Sequence, residues 1–200
     1  MHVILSNISW MSFNIFLALV AVLFGWFMKR TRLTLLRILS GVVWIIFLPN
    51  TLYLLTDIIH FFPNMHRVEG IGKLIVVLQY LLLLLLGVIT YFAAVYPAEK
   101  AAEEKMKWNQ IIFILLINGL VSFGITLGRV ERTNSWYFVT DPPRILHDTT
   151  QMLTSLNLVF LILIFTLLST LLYFSLRASL PLIQRAKRKV RPQSPTSLCR

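Results

Sequence analysis

The stretch that decides the fold lies between Leu74 and Ala98 and reads LIVVLQYLLLLLLGVITYFAAVYPA. It carries no charged side chain, and it is long enough to cross a bilayer because about 20 helical residues span a hydrocarbon core of about 30 Å. Backbone amides inside lipid must be hydrogen-bonded within the segment, which favours a helix. The continuous apolar run Leu81–Leu86 lacks the alternation of a membrane β-barrel strand. This stretch is therefore predicted to be a transmembrane helix.

Four further stretches have the same character. Each lacks Lys, Arg, Asp and Glu, and they are Met1–Met28, Ile38–Thr56, Trp108–Gly128 and Thr149–Leu176. Lys29 and Arg30 follow the first stretch directly, and no small-residue cleavage site precedes them, so we expect a retained helix rather than a signal peptide. The predicted fold is all-α: a polytopic membrane protein with about five transmembrane helices near residues 8–28, 38–56, 74–96, 108–128 and 152–176, in one domain over residues 1–176.

The composition supports a membrane location. The chain is 57% hydrophobic and 14% charged, whereas a soluble domain carries about 25% charged residues. One cysteine, Cys199, cannot form an internal disulfide. These properties exclude a secreted disulfide scaffold, a soluble enzyme and a disordered regulator.

The basic residues set the expected orientation. Most of the 19 Lys and Arg residues follow the first, third and fifth predicted helices, and the positive-inside rule places such segments in the cytoplasm. We therefore expect a multi-pass protein of the cell membrane with its N-terminus outside and its C-terminus in the cytoplasm. Residues 177–200 are predicted to form a basic, disordered tail. Membrane orientation therefore explains the net charge of +11. The expected partner is the lipid bilayer, and no nucleic-acid partner is expected.

The second predicted helix carries a proline and a row of polar residues. Pro49 lacks an amide hydrogen and clashes with the carbonyl of Ile45, so the helix must kink or stop there. Beyond Pro49, spacings of three and four residues place a polar stripe on one helix face: Asn50, Tyr53, Asp57, His60 and Asn64. An ionisable residue near the outer boundary of the lipid indicates either a functional site or a hydrated interfacial position.

The end of the fourth predicted helix supplies a second polar group. Gly124 and Gly128 form a GxxxG pattern, which allows another helix to approach closely. Arg129 and Arg132 could hold one carboxylate or phosphate if the helix continued through both. The predicted polar site joins this segment to the stripe, and its residues are Asn50, Tyr53, Asp57, His60, Arg129, Arg132, Asn134 and Trp136.

Other polar residues in or beside the predicted helices have simpler interpretations. Three amides could line a polar path or form interhelical hydrogen bonds, and they are Gln79, Asn118 and Asn157. Three carboxylates are interspersed with lysines and are interpreted as an ordinary solvated turn: Glu99, Glu103 and Glu104.

A divalent metal is the one cofactor that the sequence suggests. Asp57, His60 and His147 carry oxygen and nitrogen donors suited to zinc, and His66 and Asp148 are further donors. Because no compact HExxH motif is present, the ligands would have to come from separate segments.

Two segments carry a resemblance to a known family. They are Phe47–His60, which reads FLPNTLYLLTDIIH, and Gly124–Trp136, which reads GITLGRVERTNSW. In these segments, and in the number and order of its spans, the chain resembles the bacterial membrane proteins grouped as domain of unknown function 1361. The resemblance implies a polytopic membrane protein and no established activity.

Three functions remain open at this point. The first is a binding or assembly role with a membrane protein partner, which requires the fewest specific features in the sequence. The second is binding or transport of a small anionic or polar solute, with Arg129 and Arg132 as the neutralising charges. The third is a metal-dependent hydrolase at the outer membrane surface, so whether the protein is an enzyme stays open.

Overall fold

A computed structural model describes residues 2–106, 109–133 and 137–190. The α-helices in these ranges are α1 (His2–Arg30), α2 (Thr34–Phe47), α3 (Pro49–Thr56), α4 (Phe61–His66), α5 (Ile71–Met106), α6 (Gln110–Val130), α7 (Tyr137–Thr140), α8 (Pro142–Thr154) and α9 (Leu156–Val190). A 3-10 turn, Asp57–His60, connects α3 to α4.

Within the described residues, five segments are long and apolar enough to cross a membrane: His2–Arg30, Thr34–His66, Ile71–Glu104, Gln110–Val130 and Leu156–Pro181. The predicted all-α fold with five spanning helices is therefore confirmed. Several helices continue past the predicted limits because a helix can extend beyond its apolar part. The clearest case is α9, which reaches Val190 through a segment rich in Leu, Arg, Ala and Lys, all good helix formers. Residues 177–190, expected in a disordered tail, are helical, and residues 191–200 lie outside the described residues.

The second span is interrupted at Pro49, as predicted. Helix α2 ends at Phe47, and Pro49 occupies the first turn of α3, where a missing amide hydrogen is tolerated. Side chains of α3 satisfy carbonyl groups beside the break: Asn50 donates to the Phe47 carbonyl at 3.0 Å and Thr51 to the Leu48 carbonyl at 2.8 Å. The break therefore costs few hydrogen bonds inside the apolar layer.

The short helix α3 lies at the centre of the bundle. It packs against α1, α5 and α6, while α9 packs against α6 and α2 against α1. The main core includes Trp44, Leu48, Tyr91 and Ile114, all of which are buried. Many leucines instead face outward, including Leu78, Leu81, Leu82 and Leu85. Outward-facing leucines are expected for a bundle surrounded by lipid.

Candidate functional site

A cavity of about 430 Å³ lies between α1, α3 with its following turn, and α6. We call it the polar cavity. All five residues of the polar stripe line it, and so does Arg129. Helix α1 adds Ser6, Asn7, Trp10 and Asn14, which the sequence analysis did not include in the site. Asn7, Trp10 and Asn14 are spaced three and four residues apart, so the signal of a polar helix face was present in α1.

An ion pair between Asp57 and Arg129 forms one wall of the polar cavity. Asp57 is only 2% exposed, and Asn14 donates a hydrogen bond to its Oδ2 atom at 3.1 Å. The Nε atom of Arg129 donates to the Thr56 hydroxyl at 2.8 Å, and its guanidinium carbon lies 3.9 Å from the centre of the Tyr53 ring. Both charges are thus neutralised where they lie, as burial within a membrane span requires.

Two glycines bring α6 close enough to α3 for this ion pair to form. A Cβ atom on Gly124 would lie 2.4 Å from Cγ of Pro49, and one on Gly128 would lie 3.2 Å from Cε2 of Tyr53. The helix that packs against the GxxxG pattern is therefore α3, the part of the second span that follows the break. Arg129, directly after Gly128, reaches Asp57 because the two backbones approach closely.

The Asn7 and Asn64 side chains link three helices beside the polar cavity. Asn64 donates through Nδ2 to Oδ1 of Asn7 and to the Tyr80 hydroxyl, both at 2.9 Å. Asn7 donates to Oε1 of Gln79 at 3.2 Å, and Trp10 donates to Oδ1 of Asn7 at 3.2 Å. Gln79 thus forms an interhelical hydrogen bond, which was one of its two predicted roles.

Arg132 does not join Arg129. Helix α6 ends at Val130, and Arg132 adopts a left-handed conformation with φ of 54° and an exposed side chain. The Thr133 amide donates back to the Leu127 carbonyl at 3.3 Å, which closes the helix end. The joint role suggested for Arg129 and Arg132 depended on a continuous helix, and this condition is not met because α6 ends at Val130. Asn134 and Trp136, also predicted for the site, lie outside the described residues.

The histidines do not form a metal cluster with the carboxylates. Within residues 2–106, 109–133 and 137–190, no three His, Cys, Asp or Glu side chains are grouped so that they could hold a metal ion. His60 lines the polar cavity with Asp57, but the His147 side chain is 77% exposed and lies beside Asp148. The metal site of Asp57, His60 and His147 therefore stays a prediction that this geometry does not support.

Asp148 attaches the surface helix α8 to the end of α6. The Thr133 hydroxyl, which lines the polar cavity, donates to Oδ2 of Asp148 at 2.6 Å. This hydrogen bond is the main reason why the pKa of Asp148 is lower than usual, with smaller contributions from His147 and Arg144. Asp141 caps the start of α8 by accepting from the Arg144 amide at 3.3 Å.

The solvated-turn interpretation is wrong for Glu99. Its side chain is 1% exposed, accepts a hydrogen bond from the Tyr173 hydroxyl at 2.5 Å and forms an ion pair with Arg177. Glu99 lies near the end of α5, far along the helix from Gln79 and therefore far from the polar cavity beside Gln79. Arg177 is too far along the chain for a local pattern to reveal this contact.

Asn118 of α6 forms hydrogen bonds to α5 and α9. It accepts from the Tyr91 hydroxyl at 2.6 Å and donates to the Thr170 hydroxyl at 3.0 Å. The third predicted amide, Asn157, is exposed at the start of α9.

Comparison with known proteins identifies the family. A family model described as a protein of unknown function (DUF1361) matches residues 13–171, and the chain therefore belongs to this family. No curated protein and no solved structure matches the chain. The match includes Asp57 and Arg129, and together with the five apolar spans it identifies an integral membrane protein.

Proposed function

We propose that the protein binds a small polar molecule in the polar cavity. The observation that carries this proposal is the lining of one cavity by Asp57, Arg129 and four asparagines within a bundle of mostly apolar spans. Polar groups inside a membrane protein are costly, and they commonly mark the pathway or site of a polar ligand. The volume of about 430 Å³ lies in the range of small-molecule sites, about 300–1,000 Å³.

The position of the polar groups favours ligand binding over a purely structural role. Polar residues that only join helices are expected to be enclosed by packed side chains, as Asn118 is between Tyr91 and Thr170. Asn14 and His60 instead border open volume, and the His60 side chain is exposed. Side chains that border a cavity can contact a bound molecule, which is the role proposed for these two.

The proposed orientation places the polar cavity on the outer side of the cell membrane. The cavity contacts the first half of α1, whereas Lys29 and Arg30 lie at its other end. In intact cells, an impermeant maleimide should label a Ser6→Cys variant made in a Cys199→Ala background. The native Cys199 should react only after permeabilisation, and the opposite pattern would reverse the orientation.

Binding can be tested by filling the polar cavity. Ser6 lines the cavity and is exposed, so Ser6→Trp should occupy the ligand volume with little effect on the core. Ser12 is also exposed on α1 but lies outside the lining, which makes Ser12→Trp the matched control. The assay measures the unfolding temperature of the purified protein with glucose, maltose, glycine, sodium acetate or sodium phosphate.

At least one of these compounds should raise the unfolding temperature of the native protein and of Ser12→Trp, and Ser6→Trp should not respond to it. The proposal fails if no compound stabilises the native protein, or if Ser6→Trp responds as the native protein does.

A further inference from the structure

We infer that the ligand of the polar cavity is an uncharged molecule rich in hydroxyl groups, either a free sugar or the glycosyl headgroup of a lipid. This inference rests on the proposed function and specifies its ligand. It follows from the charge balance of the cavity, from the hydrogen-bonding groups around it and from its aromatic side chains.

The charges of the polar cavity are already balanced. Asp57 and Arg129 pair with each other, and the described lining contains no other Asp, Glu, Lys or Arg. An anion that bound Arg129 would bring a second negative charge beside the Asp57 carboxylate, which is 2% exposed, with one arginine to balance both. A cation that bound Asp57 would bring a second positive charge beside Arg129 in the same way. The cavity is therefore unsuited to a ligand that carries a net charge.

The remaining polar groups both donate and accept hydrogen bonds. Ser6 contributes a hydroxyl, and the lining also includes the carboxamides of Asn7, Asn14, Asn50 and Asn64, each of which already donates a hydrogen bond within the protein through its Nδ2 atom. Asn14 lines the cavity and uses its Nδ2 atom to donate to Asp57, and its Oδ1 atom is a hydrogen-bond acceptor. Hydroxyl groups also donate and accept, so a ligand with several of them matches this lining better than one with acceptors alone.

Aromatic side chains supply the apolar part of the surface. Trp10, Phe13, Tyr53 and His60 line the polar cavity, and the rings of Trp10 and His60 meet edge to face with centres 6.0 Å apart. An aromatic ring offers a large apolar face, and Trp and Tyr add a polar edge. A sugar ring has the complementary character, with C–H groups on its faces and hydroxyls around its rim.

The test compares ligand classes in protein that has been exchanged into a detergent without a sugar headgroup, since a maltoside detergent would itself offer the proposed chemistry. Isothermal titration with glucose and maltose is set beside titration with sodium acetate, sodium phosphate and glycine. We expect a sugar to bind the native protein and to bind Ser6→Trp at least about tenfold more weakly. Ser12→Trp should bind as the native protein does.

A second pair of variants addresses the aromatic surface without a large change in volume. His60→Leu removes an exposed ring from the lining, and His66→Leu is the control because His66 is exposed and outside it. Sugar binding should weaken at least about tenfold in His60→Leu and not in His66→Leu. Equal binding by both variants would refute the contribution of the aromatic surface.

An experiment with lipids distinguishes the two possible sources of the hydroxyl groups, a free sugar and a lipid headgroup. The protein is placed in nanodiscs of phosphatidylcholine with or without monoglucosyl diacylglycerol, and bound lipid is identified by native mass spectrometry. Glucosyl lipid retained by the native protein and lost in Ser6→Trp, with no binding of free sugar, would assign the ligand to a headgroup. Binding of free sugar alone would assign it to a soluble molecule.

The remaining outcomes separate the inference from the function on which it rests. If acetate, phosphate or glycine binds and Ser6→Trp abolishes that binding, while sugars and glucosyl lipid do not bind, the ligand class is wrong and the binding function stands. If none of these probes binds in the polar cavity, both proposals are wrong.

Discussion

The Asp57 carboxylate is 2% exposed in the native protein. Replacing Arg129 with Met removes its counter-charge and leaves the hydrogen bond from Asn14. Removing one member of a buried ion pair typically costs about 3–5 kcal/mol, because the other charge stays buried without compensation. We expect Arg129→Met to fall in this range. Asp57→Asn should cost less, about 3 kcal/mol, because Arg129 keeps its hydrogen bond to Thr56 and its contact with the Tyr53 ring.

The double variant Asp57→Asn/Arg129→Met removes both charges together. Its loss of stability should be smaller than the sum of the two single losses, with a coupling energy of about 1–3 kcal/mol. The matched control is Glu103→Gln, which breaks the exposed pair between Glu103 and Lys100, 2.5 Å apart. That change should cost less than about 1 kcal/mol, because exposed ion pairs contribute little.

The measurement is reversible unfolding in mixed micelles of increasing sodium dodecyl sulfate content, followed by circular dichroism. It gives the free energy of unfolding for the native protein, the two single variants, the double variant and Glu103→Gln. The reasoning would be refuted if Arg129→Met cost no more than Glu103→Gln. It would also be refuted if the losses of the two single variants added up in the double variant.

Three further changes test the packing of α6, the buried carboxylate of α5 and the attachment of α8. Gly124→Ala places a methyl group against the rigid Pro49 ring and should lower the free energy of unfolding by about 1–3 kcal/mol. In the control Gly119→Ala, the new methyl group meets nothing within 4 Å, so stability should not fall. Equal stability of the two variants would contradict this packing. Glu99→Gln should destabilise the protein by about 3 kcal/mol in the same unfolding assay, and a change below about 1 kcal/mol would indicate a solvated side chain after all. Asp148 has a lowered pKa, so its contribution to stability is complete above its unfolded pKa of about 3.9 and is lost as the pH falls through its folded pKa. The unfolding temperature should therefore fall less between about pH 5 and about pH 3 in Asp148→Asn than in the native protein, and parallel curves would show that Asp148 contributes nothing.

The spanning helices could be predicted from the sequence because they depend on a local property. A long stretch without charge has to form its own backbone hydrogen bonds in lipid, whatever its neighbours are. The break at Pro49 is local in the same sense, since the missing amide hydrogen belongs to the residue itself. The ends of helices were less predictable, as α9 shows, because an apolar stretch ends at the first charge and the helix does not.

The site could be predicted only in part, because its contacts join segments that are distant in sequence. The spacing of the polar stripe indicated a shared helix face, and Arg129 was included because it belongs to the polar group at the end of the fourth predicted helix. That Arg129 pairs with Asp57, 72 residues away, depends on how α6 packs against α3. The separation of Arg132 from Arg129 depends on a backbone turn with positive φ at a residue that is not glycine, for which the sequence offered no signal.

The two buried ion pairs differ in what surrounds them, and this difference separates a structural role from a binding role. Glu99 and Arg177 join α5 to α9 next to Tyr173, whose ring contacts Phe92 with centres 5.5 Å apart. The hydrogen bond from Tyr173 satisfies the second oxygen of Glu99, as a buried ion pair that only holds two helices together requires. Asp57 also joins two helices, but it borders the polar cavity, where we propose that a ligand binds. Glu99→Gln should therefore lower stability and leave ligand-induced stabilisation intact, whereas Asp57→Asn should reduce both.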